Sequence, residues 1–395
     1  MRALLFGFAL LGCTAIVGCS AILGLQEPTV DNGVGDGGGG GDGGGGDGGG
    51  GDTSTGDGAG GDGGVCTKDC LGGACVGGQC QPVLVASSTS IAPYAMVLDG
   101  NTLYFTNLHA NDLHSVYKID KTATNGTPTQ LADYAQGYTT PLVDALPYSV
   151  AVQGGFFYVS LYANGAVNSQ WEAGLDRCAT TGCTSNTLAY YGVDSYAVVA
   201  NASNVFFGST DYNSVYTIQK ANLDMTGRST LGTSTSEVNG LALDGSDLYY
   251  GTADGVFHCT SSACTATALT QGQTLDAELL AVDANNVYFS STPYGGTQTV
   301  QSVARAGGPP KLISNKPQNP LGIATDGTDV YFTDVGDTQT PSTGAVYRCP
   351  VAGCNGAEET LSTGAAAGDN PRPVLVDANA IYWGTRGGKI WRLAK

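Results

Sequence analysis

Four cysteines near the N-terminus could cross-link a short segment or hold a metal ion. They fall within residues 65–82 and are Cys66, Cys70, Cys75 and Cys80. So short a segment cannot bury a core, so covalent bonds must hold its shape. In an exported protein such a set favours two disulfides, and the spacing leaves their pairing open. Zinc is the alternative, disfavoured because paired C-x2-C knuckles are missing.

Six further cysteines form three C-x4-C pairs. The pairs are Cys178 with Cys183, Cys259 with Cys264, and Cys349 with Cys354. Each pair lies in a predicted turn between two strands, so each is expected to close its hairpin with a local disulfide worth about 2 to 3 kcal/mol. A shared metal is disfavoured because the pairs fall on separate repeat units.

Residues typical of catalysis or phosphate binding are scarce. The three histidines, His109, His114 and His258, lie in a loop or in predicted strands and are expected to be loop or packing residues. No G-x-S-x-G, phosphate loop or H-E-x-x-H is present. Lys+Arg 16 against Asp+Glu 34 gives a net charge of -18, which makes nucleic acid an unsuitable partner.

The strands and turns that would position a functional site belong to a sequence unit that repeats seven times. The units align on one turn residue, the anchor, which is Asp99, Gln153, Asn201, Asp244, Asp283, Asp326 and Asp377. Five residues after each anchor stands an aromatic residue: Tyr104, Tyr158, Phe206, Tyr249, Tyr288, Tyr331 and Tyr382. The anchors are 39 to 54 residues apart, a period typical of propeller blades.

Each unit contains four short apolar strands, with a tight turn after the anchor. The seventh unit ends at Lys395 without a fourth strand, whereas residues 83–87, before the first unit, resemble one. We therefore predict an all-β fold, a seven-bladed β-propeller of four-stranded blades over residues 82–395, closed by this N-terminal strand beside residues 389–393. The closure removes an exposed sheet edge.

The first strands of a propeller line its central channel, so residues near their starts are candidates for binding. Five residues before the anchors stand Tyr94, Tyr148, Tyr196, Asn239, Glu278, Leu321 and Arg372. This ring varies from blade to blade, which indicates positions released from packing. One hypothesis is that the tyrosines stack on a flat ligand such as a sugar while Glu278 and Arg372 bind its polar groups. The alternative is that tyrosines cap the channel and Glu278 pairs with Arg372.

The second-strand sequences LYFTN (103–107), VYFTD (330–334) and IYWGT (381–385) resemble the YWTD repeat of low-density-lipoprotein-receptor propellers, and more loosely NHL and virginiamycin-lyase-type propellers. The resemblance covers the whole propeller domain and implies the fold. YWTD propellers close with six blades whereas seven anchors stand here, so their ligand surface does not carry over.

The first 31 residues predict where the protein is located in the cell. Residues 1–18 resemble a lipoprotein signal peptide whose lipobox, Ile16 to Cys19, would leave Cys19 acylated at the start of a mature segment, residues 19–31. An uncleaved membrane helix is the alternative. Because Ser20 rather than an aspartate follows Cys19, the outer membrane is favoured over the inner. The predicted location is the cell envelope, with the protein lipid-anchored.

Residues 32–64 form a Gly-rich tract with an aspartate about every fifth residue, predicted to be a disordered linker. A calcium-binding role, the only cofactor alternative retained, is disfavoured because calcium-binding β-rolls carry an apolar residue in each repeat. The cysteine-rich residues 65–81 are predicted to form a compact stalk. The layout of lipobox, tether, stalk and propeller resembles uncharacterised cell-envelope lipoproteins of myxobacteria.

These features favour a monomeric, membrane-tethered, non-catalytic binding module for a protein or glycan partner. The alternative is a metal-dependent lactonase- or lyase-type enzyme with its site at the channel mouth, where Asn239 and Glu278 are the side chains suited to a metal.

Overall fold

A computed structural model describes residues 65–109, 113–134, 145–163, 174–183, 190–191, 195–211, 213–270, 275–292, 296–336, 343–363 and 370–395. The predictions for residues 1–18, Cys19, residues 19–31 and residues 32–64 lie outside the described residues. The described part of the chain contains no helix with the length and apolarity needed to span a membrane.

Thirty β-strands make up the described secondary structure, and 28 of them form seven four-stranded antiparallel sheets. Blades one to three contain β4 (Pro93–Asp99), β5 (Thr102–His109), β6 (Leu113–Asp120) and β7 (Thr129–Asp133); β8 (Ala145–Gln153), β9 (Phe156–Ala163), β10 (Gly174–Ala179) and β11 (Tyr190–Tyr191); and β12 (Val198–Ala200), β13 (Asn204–Thr210), β14 (Tyr216–Asn222) and β15 (Ser229–Thr233). Blades four and five contain β16 (Gly240–Asp244), β17 (Asp247–Thr252), β18 (Gly255–Thr260) and β19 (Thr267–Ala268); and β20 (Ala277–Val282), β21 (Asn286–Ser291), β22 (Thr299–Ala304) and β23 (Lys311–Ser314). Blades six and seven contain β24 (Pro320–Thr325), β25 (Asp329–Asp334), β26 (Ala345–Pro350) and β27 (Glu359–Ser362); and β28 (Pro371–Val376), β29 (Ala380–Thr385), β30 (Lys389–Ala394) and β3 (Val83–Ser87).

The sheets form a closed ring, which confirms the predicted seven-bladed propeller. The first strands β4, β8, β12, β16, β20, β24 and β28 contact one another in this order, and β28 contacts β4. The N-terminal strand β3 pairs antiparallel with β30, with Val83 opposite Arg392 and Ser87 opposite Lys389. Both ends of the propeller therefore share blade seven, and the edge that β30 would expose is covered.

The anchor residues are explained by the turn that follows them. Asp326 accepts hydrogen bonds from the backbone amides of Thr328 and Asp329 at 2.9 and 2.8 Å, and its second oxygen accepts one from the Tyr331 hydroxyl at 2.9 Å. The same three bonds recur at Asp283 and at Asp377. Blade three has Asn201 before Phe206, and only the two amide bonds are formed there.

The aromatic residue five positions after the anchor forms the core between neighbouring blades. All seven of these side chains are buried. Each packs against the residue six positions after the anchor of the next blade, as Tyr331 does against Trp383 and Tyr382 against Phe105. Seven such clusters fill the seven blade interfaces, so the apolar core is divided into a ring of wedges.

Polar bonds across the blade interfaces accompany these clusters. In three blades the residue after the third strand is a cation that binds the anchor of the preceding blade: Lys121 to Asp377 at 2.8 Å, Arg305 to Asp244 at 2.6 Å and Lys395 to Asp326 at 2.5 Å. In blade three the corresponding Leu223 carbonyl accepts a bond from the Tyr158 hydroxyl at 2.7 Å. The anchor therefore joins its own turn to the adjacent blade.

The cysteine-rich residues 65–82 form a small unit with two disulfides, Cys66–Cys75 and Cys70–Cys80, around a hairpin of β1 (Cys75–Val76) and β2 (Gln79–Cys80). This stalk packs on blade seven. The Arg392 guanidinium donates to the Leu71 carbonyl at 2.6 Å, and Lys68 Nζ donates to the Ala394 carbonyl at 3.1 Å. Both contacts lie near the end of β30, the third strand of blade seven. The stalk therefore packs at the face of the propeller at which the first and third strands of each blade end.

The three C-x4-C pairs are disulfide-bonded in the structure. Each closes the turn that follows a third strand, at the same face as the stalk. The turns also contact the preceding blade, as Cys183 N does by donating to the Leu131 carbonyl and Cys354 N by donating to the Ile313 carbonyl. Each disulfide therefore fixes a turn that lies against a neighbouring blade.

Candidate functional site at the channel mouth

The channel mouth is the end of the ring at which the first strands begin, opposite the stalk. Five of its seven predicted residues lie at a β-bulge: Tyr94, Tyr148, Glu278, Leu321 and Arg372. A bulge places an extra residue outside the ladder of backbone hydrogen bonds and redirects its side chain. Tyr196 and Asn239 precede their strands, and the Asn239 amide still donates to the Gly251 carbonyl of β17 at 3.0 Å. All seven are half-buried.

The bulges are held by small side chains on the second strands, seven positions after the anchor. The hydroxyls of Thr106, Ser160 and Ser290 accept hydrogen bonds from the amides of Ala95, Ser149 and Leu279 at 3.0, 2.9 and 3.1 Å. Glycine takes this position in three other blades because the next blade approaches closely. A Cβ added at Gly384 would lie 2.6 Å from Pro93 Cβ, and one at Gly208 would lie 2.7 Å from Val238 Cβ.

Three of the predicted residues meet as an aromatic group. The ring centroids of Tyr94 and Tyr148 are 5.2 Å apart and those of Tyr148 and Tyr196 are 5.3 Å apart, both edge-to-face. Tyr162, which the sequence analysis did not identify, joins them at 5.7 Å from Tyr148 and 5.3 Å from Tyr196. Burial raises the pKa of Tyr94 and Tyr148, so both hydroxyls stay protonated at neutral pH.

An acidic sector follows on blades four and five. Glu278 Oε1 accepts a hydrogen bond from Thr292 at 2.7 Å, and Thr210 donates to Glu237 at 3.4 Å. Burial, and then the charge of Asp276, raises the pKa of Glu278 above its ordinary value, against the effect of the Thr292 bond. Asn239, also on blade four, belongs to the same part of the ring, and Leu321 follows on blade six.

A basic sector occupies blade seven. The Arg372 guanidinium carbon lies 5.3 Å above the centre of the Tyr94 ring, a cation–π arrangement. Arg386, also not identified from the sequence, lies at the end of β29, and its amide donates to the Asn370 carbonyl at 3.0 Å. Among the ion pairs of the residues that the structure describes, none joins Glu278 to Arg372; the alternative prediction of that pair is wrong, since each side chain has a different neighbour.

The residues missed by the sequence analysis share one position, nine residues after the anchor. Tyr162, Thr292 and Arg386 all stand there, and each adjoins the residue five before the anchor in its own blade: Tyr148, Glu278 and Arg372. This column also varies in residue type, so the signal that identified the first ring would have identified the second.

His258 and the metal-ligating clusters lie near the face opposite the mouth, whereas His114 lies near the start of β6, opposite Leu108 at the mouth end of blade one. His258 Nε2 is 3.0 Å from Asp247 Oδ1, beside Tyr249 on the blade, and His114 is buried in β6; the His109 side chain lies outside the described residues. Within the described ranges, each cluster of three metal-ligating groups includes disulfide-bonded cysteines, whose sulfurs are not thiolate ligands.

The sequence matches no protein-family model and no curated protein. Its fold is similar to that of selenomethionine-substituted virginiamycin B lyase from Staphylococcus aureus, with a TM-score of 0.55 and 14% identity over 80% of this chain and 98% of the lyase. A chain of the mitotic checkpoint complex gives a TM-score of 0.56 and 14% identity over 80% of this chain and 94% of that one. BamB from Moraxella catarrhalis gives a TM-score of 0.43 and 15% identity over 79% of this chain and 83% of the BamB chain. At these identities the similarity shows the fold alone, and the protein is a seven-bladed β-propeller.

Proposed function

We propose that the protein is a lipid-tethered, extracytoplasmic β-propeller whose channel mouth binds a glycan or protein partner without catalysis. The observation that carries the proposal is the tyrosine group of Tyr94, Tyr148, Tyr162 and Tyr196 at the channel mouth. Bulges hold the mouth residues outside the ladder, so the fold does not dictate their identity. Aromatic side chains that converge with a few charged groups are typical of ligand sites.

The position of the stalk supports a role in display. The chain enters the described structure at the exposed Val65, and the stalk that follows packs at the face opposite the mouth. With Cys19 acylated and residues 32–64 acting as a linker, the tether would join the propeller through the stalk, which leaves the mouth uncovered by the stalk. A linker of this composition reaches about 30 Å, so the propeller has room to meet a partner beyond the membrane surface.

The proposed location follows from sequence features. The lipobox-like residues before Cys19, the Gly/Asp tract and the four stalk cysteines support a cell-envelope lipoprotein of the kind described in myxobacteria, placed at the outer membrane. The second-strand sequences support a YWTD- or NHL-like origin for the blades. Cys19→Ala is expected to move the protein from the membrane fraction to the soluble fraction, and unchanged membrane association would contradict the anchor.

The fold does not choose between binding and catalysis, since a lyase and a chain of the mitotic checkpoint complex share it. A metal-dependent enzyme would use Asn239 and Glu278 as ligands. Equilibrium dialysis of the purified chain against calcium, with Glu278→Gln as control, discriminates the two. One ion per chain that is lost with Glu278→Gln would favour the enzyme.

The binding proposal is tested by cross-linking in intact cells followed by identification of the captured partner. We expect Tyr148→Ala and Tyr196→Ala to abolish capture, because both side chains belong to the tyrosine group. Tyr117→Ala is the matched control, since this half-buried tyrosine stacks on Phe105 within a blade and away from the mouth. Capture that survives both mouth substitutions would overturn the proposal.

A further inference from the structure

Blade seven brings two arginines together at the mouth. Arg372 lies in the bulge of β28 between Pro371 and Val374, and Arg386 follows β29 directly. Burial lowers the pKa of Arg372, and the like charge of Arg386 acts in the same direction, whereas Tyr94 and Tyr148 oppose it. The backbone places the two residues side by side, since the Arg386 amide donates to the carbonyl of Asn370, two residues before Arg372.

Neither arginine has an anionic partner in the part of the chain that the structure describes. Arg372 Nε is buried and has no hydrogen-bond partner, and the one contact of its guanidinium with another charged or aromatic group is with the Tyr94 ring at 5.3 Å. No ion pair of the described residues involves Arg372 or Arg386. Burying a charge without a counterion is unfavourable, so Arg372 is suited to bind an anion.

Several other arginines of the described residues bind anions or carbonyls, whereas Arg177 Nε, like Arg372 Nε, is buried without a hydrogen-bond partner and its guanidinium lies over the Phe156 ring. Arg305 binds Asp244 and Asp247 at 2.6 and 2.7 Å, Arg348 binds Glu359, and Arg392 donates to the carbonyls of Lys121 and Leu71. Asp and Glu outnumber Lys and Arg by 34 to 16, so carboxylates are not scarce. What distinguishes blade seven is that two arginines that form no ion pair with a described residue lie on adjoining strand ends at the mouth.

We infer that Arg372 and Arg386 bind the carboxylate of an acidic sugar residue whose ring packs against the mouth tyrosines. A planar guanidinium matches a carboxylate in bidentate geometry, and the second arginine adds charge from the other side. The tyrosines supply the flat apolar surface that a sugar ring requires. The inference rests on the proposed binding function and names its ligand class.

The remaining mouth residues fix the direction in which the ligand binds. Glu237, Asp276 and Glu278 form the acidic sector on blades four and five, and a carboxylate placed there would be repelled. The acidic group of the sugar must therefore point to blade seven. The mouth side chains are half-buried rather than exposed, so they offer less surface to a folded partner than to a single sugar ring, which favours a glycan over a protein.

Titration calorimetry on the purified full-length chain in detergent tests the inference. The probes are oligogalacturonate and its methyl-esterified form, in which uncharged methyl esters replace the carboxylates on the same sugar backbone. We expect oligogalacturonate to bind at least tenfold more tightly. Arg372→Gln and Arg386→Gln should each weaken it about ten- to a hundredfold, as loss of a charge-assisted hydrogen bond predicts. Arg305→Gln, at the opposite face, is the matched control and should have no effect.

Three results would overturn the inference: equal affinity for the two probes, no binding of oligogalacturonate, or binding that both arginine substitutions leave unchanged. Competition by sulfate is measured on the unmodified chain, so it does not depend on whether Arg372→Gln folds. We expect sulfate to displace oligogalacturonate. Failure of sulfate to displace it would count against binding by the arginine pair. If the tyrosine substitutions abolish partner capture while oligogalacturonate does not bind, this inference fails and the proposed function stands.

Discussion

The ion pair between Lys121 and Asp377 crosses the interface between blades one and seven, where the ring closes. Asp377 also accepts bonds from the amides of Asn379 and Ala380 and from the Tyr382 hydroxyl. We would replace the two charged residues singly and together, as Lys121→Met and Asp377→Asn. Asparagine retains an oxygen for the turn amides, so the double-mutant cycle isolates the interaction with Lys121.

The expected coupling energy follows from the burial of the pair. The side chains of Lys121 and Asp377 are 18% and 16% exposed at an N–O distance of 2.8 Å, which places the pair between exposed and buried salt bridges. Exposed pairs contribute up to about 1 kcal/mol, whereas disrupting a buried pair costs about 3 to 5 kcal/mol. We therefore expect a coupling of about 1 to 2 kcal/mol at neutral pH.

Urea unfolding of the four chains measures this coupling, with Arg348 and Glu359 as the matched control pair. The control pair is 31% and 50% exposed, so its coupling should stay below about 0.5 kcal/mol. Equal couplings for the two pairs would refute the assignment of the difference to burial and ring closure.

The pH dependence gives a second check. Burial raises the pKa of Asp377, but Lys121, the two turn amides and the Tyr382 hydroxyl outweigh it, so the folded-state pKa lies below the ordinary value of 3.8. A lowered pKa means that the contribution is complete above about pH 4 and is lost as the pH falls towards the folded-state value. A coupling that persists unchanged at pH 2 would contradict this.

Three further predictions concern stability and are measured by the same urea assay. Gly384→Ala should destabilise by more than about 2 kcal/mol, since its Cβ would meet Pro93 at 2.6 Å, and a neutral result would show that blades one and seven can separate there. Replacing Cys70 and Cys80 by Ala should lower the free energy of unfolding by about 3 kcal/mol, because this disulfide closes a loop with a sequence separation of 10. An unchanged free energy of unfolding would mean that the stalk adds nothing to the stability of the propeller. Tyr158→Ala should cost about 3 to 5 kcal/mol because its side chain is fully buried at a blade interface, whereas Tyr148→Ala at the mouth should cost less than half as much; equal losses would place the mouth tyrosines in the core.

The fold was predictable because its signals are local. The carboxylate of Asp326 binds amides two and three residues ahead and a hydroxyl five residues ahead, so the turn leaves the same spacing in each blade that uses it. The aromatic column follows from the same spacing, since that residue must also fill the interface with the next blade. The closing strand, Val83–Ser87, was predicted by counting strands. The seventh unit lacks a fourth strand, and the strand-like segment before the first unit is the one left to supply it.

The mouth was predictable in part. The ring that includes Tyr148 and Arg372 was identified by its variation, but Tyr162 and Arg386 were not. An unbulged hairpin pairs Asp99 with Thr102 and Met96 with Phe105, and this register would place residue 93 opposite 108. The bulge places Pro93 opposite Asn107 instead. Sequence cannot say which blades carry this one-residue shift, so it cannot assign the neighbours across the two strands.

The contacts of the stalk could not be predicted, for a different physical reason. Arg392 and Lys68 donate to the backbone carbonyls of Leu71 and Ala394, and backbone acceptors leave no mark on residue type. The four cysteines indicate that the segment needs covalent support, but they carry no information about the surface on which it packs.

Packing demand separates the columns of the repeat into two groups. The positions five and seven after the anchor fill blade interfaces, where a buried aromatic or a residue no larger than threonine is required. The positions five before and nine after the anchor lie at the bulged ends of the inner strands, where Tyr148, Glu278 and Arg372 occupy equivalent sites with opposite charge or none. A scaffold that tolerates such differences at one ring can change its ligand chemistry without changing its core. Arg372 and Arg386, which form no ion pair with any described residue, occupy two such positions, so our inference of an anionic ligand accounts for residue types that folding leaves unspecified.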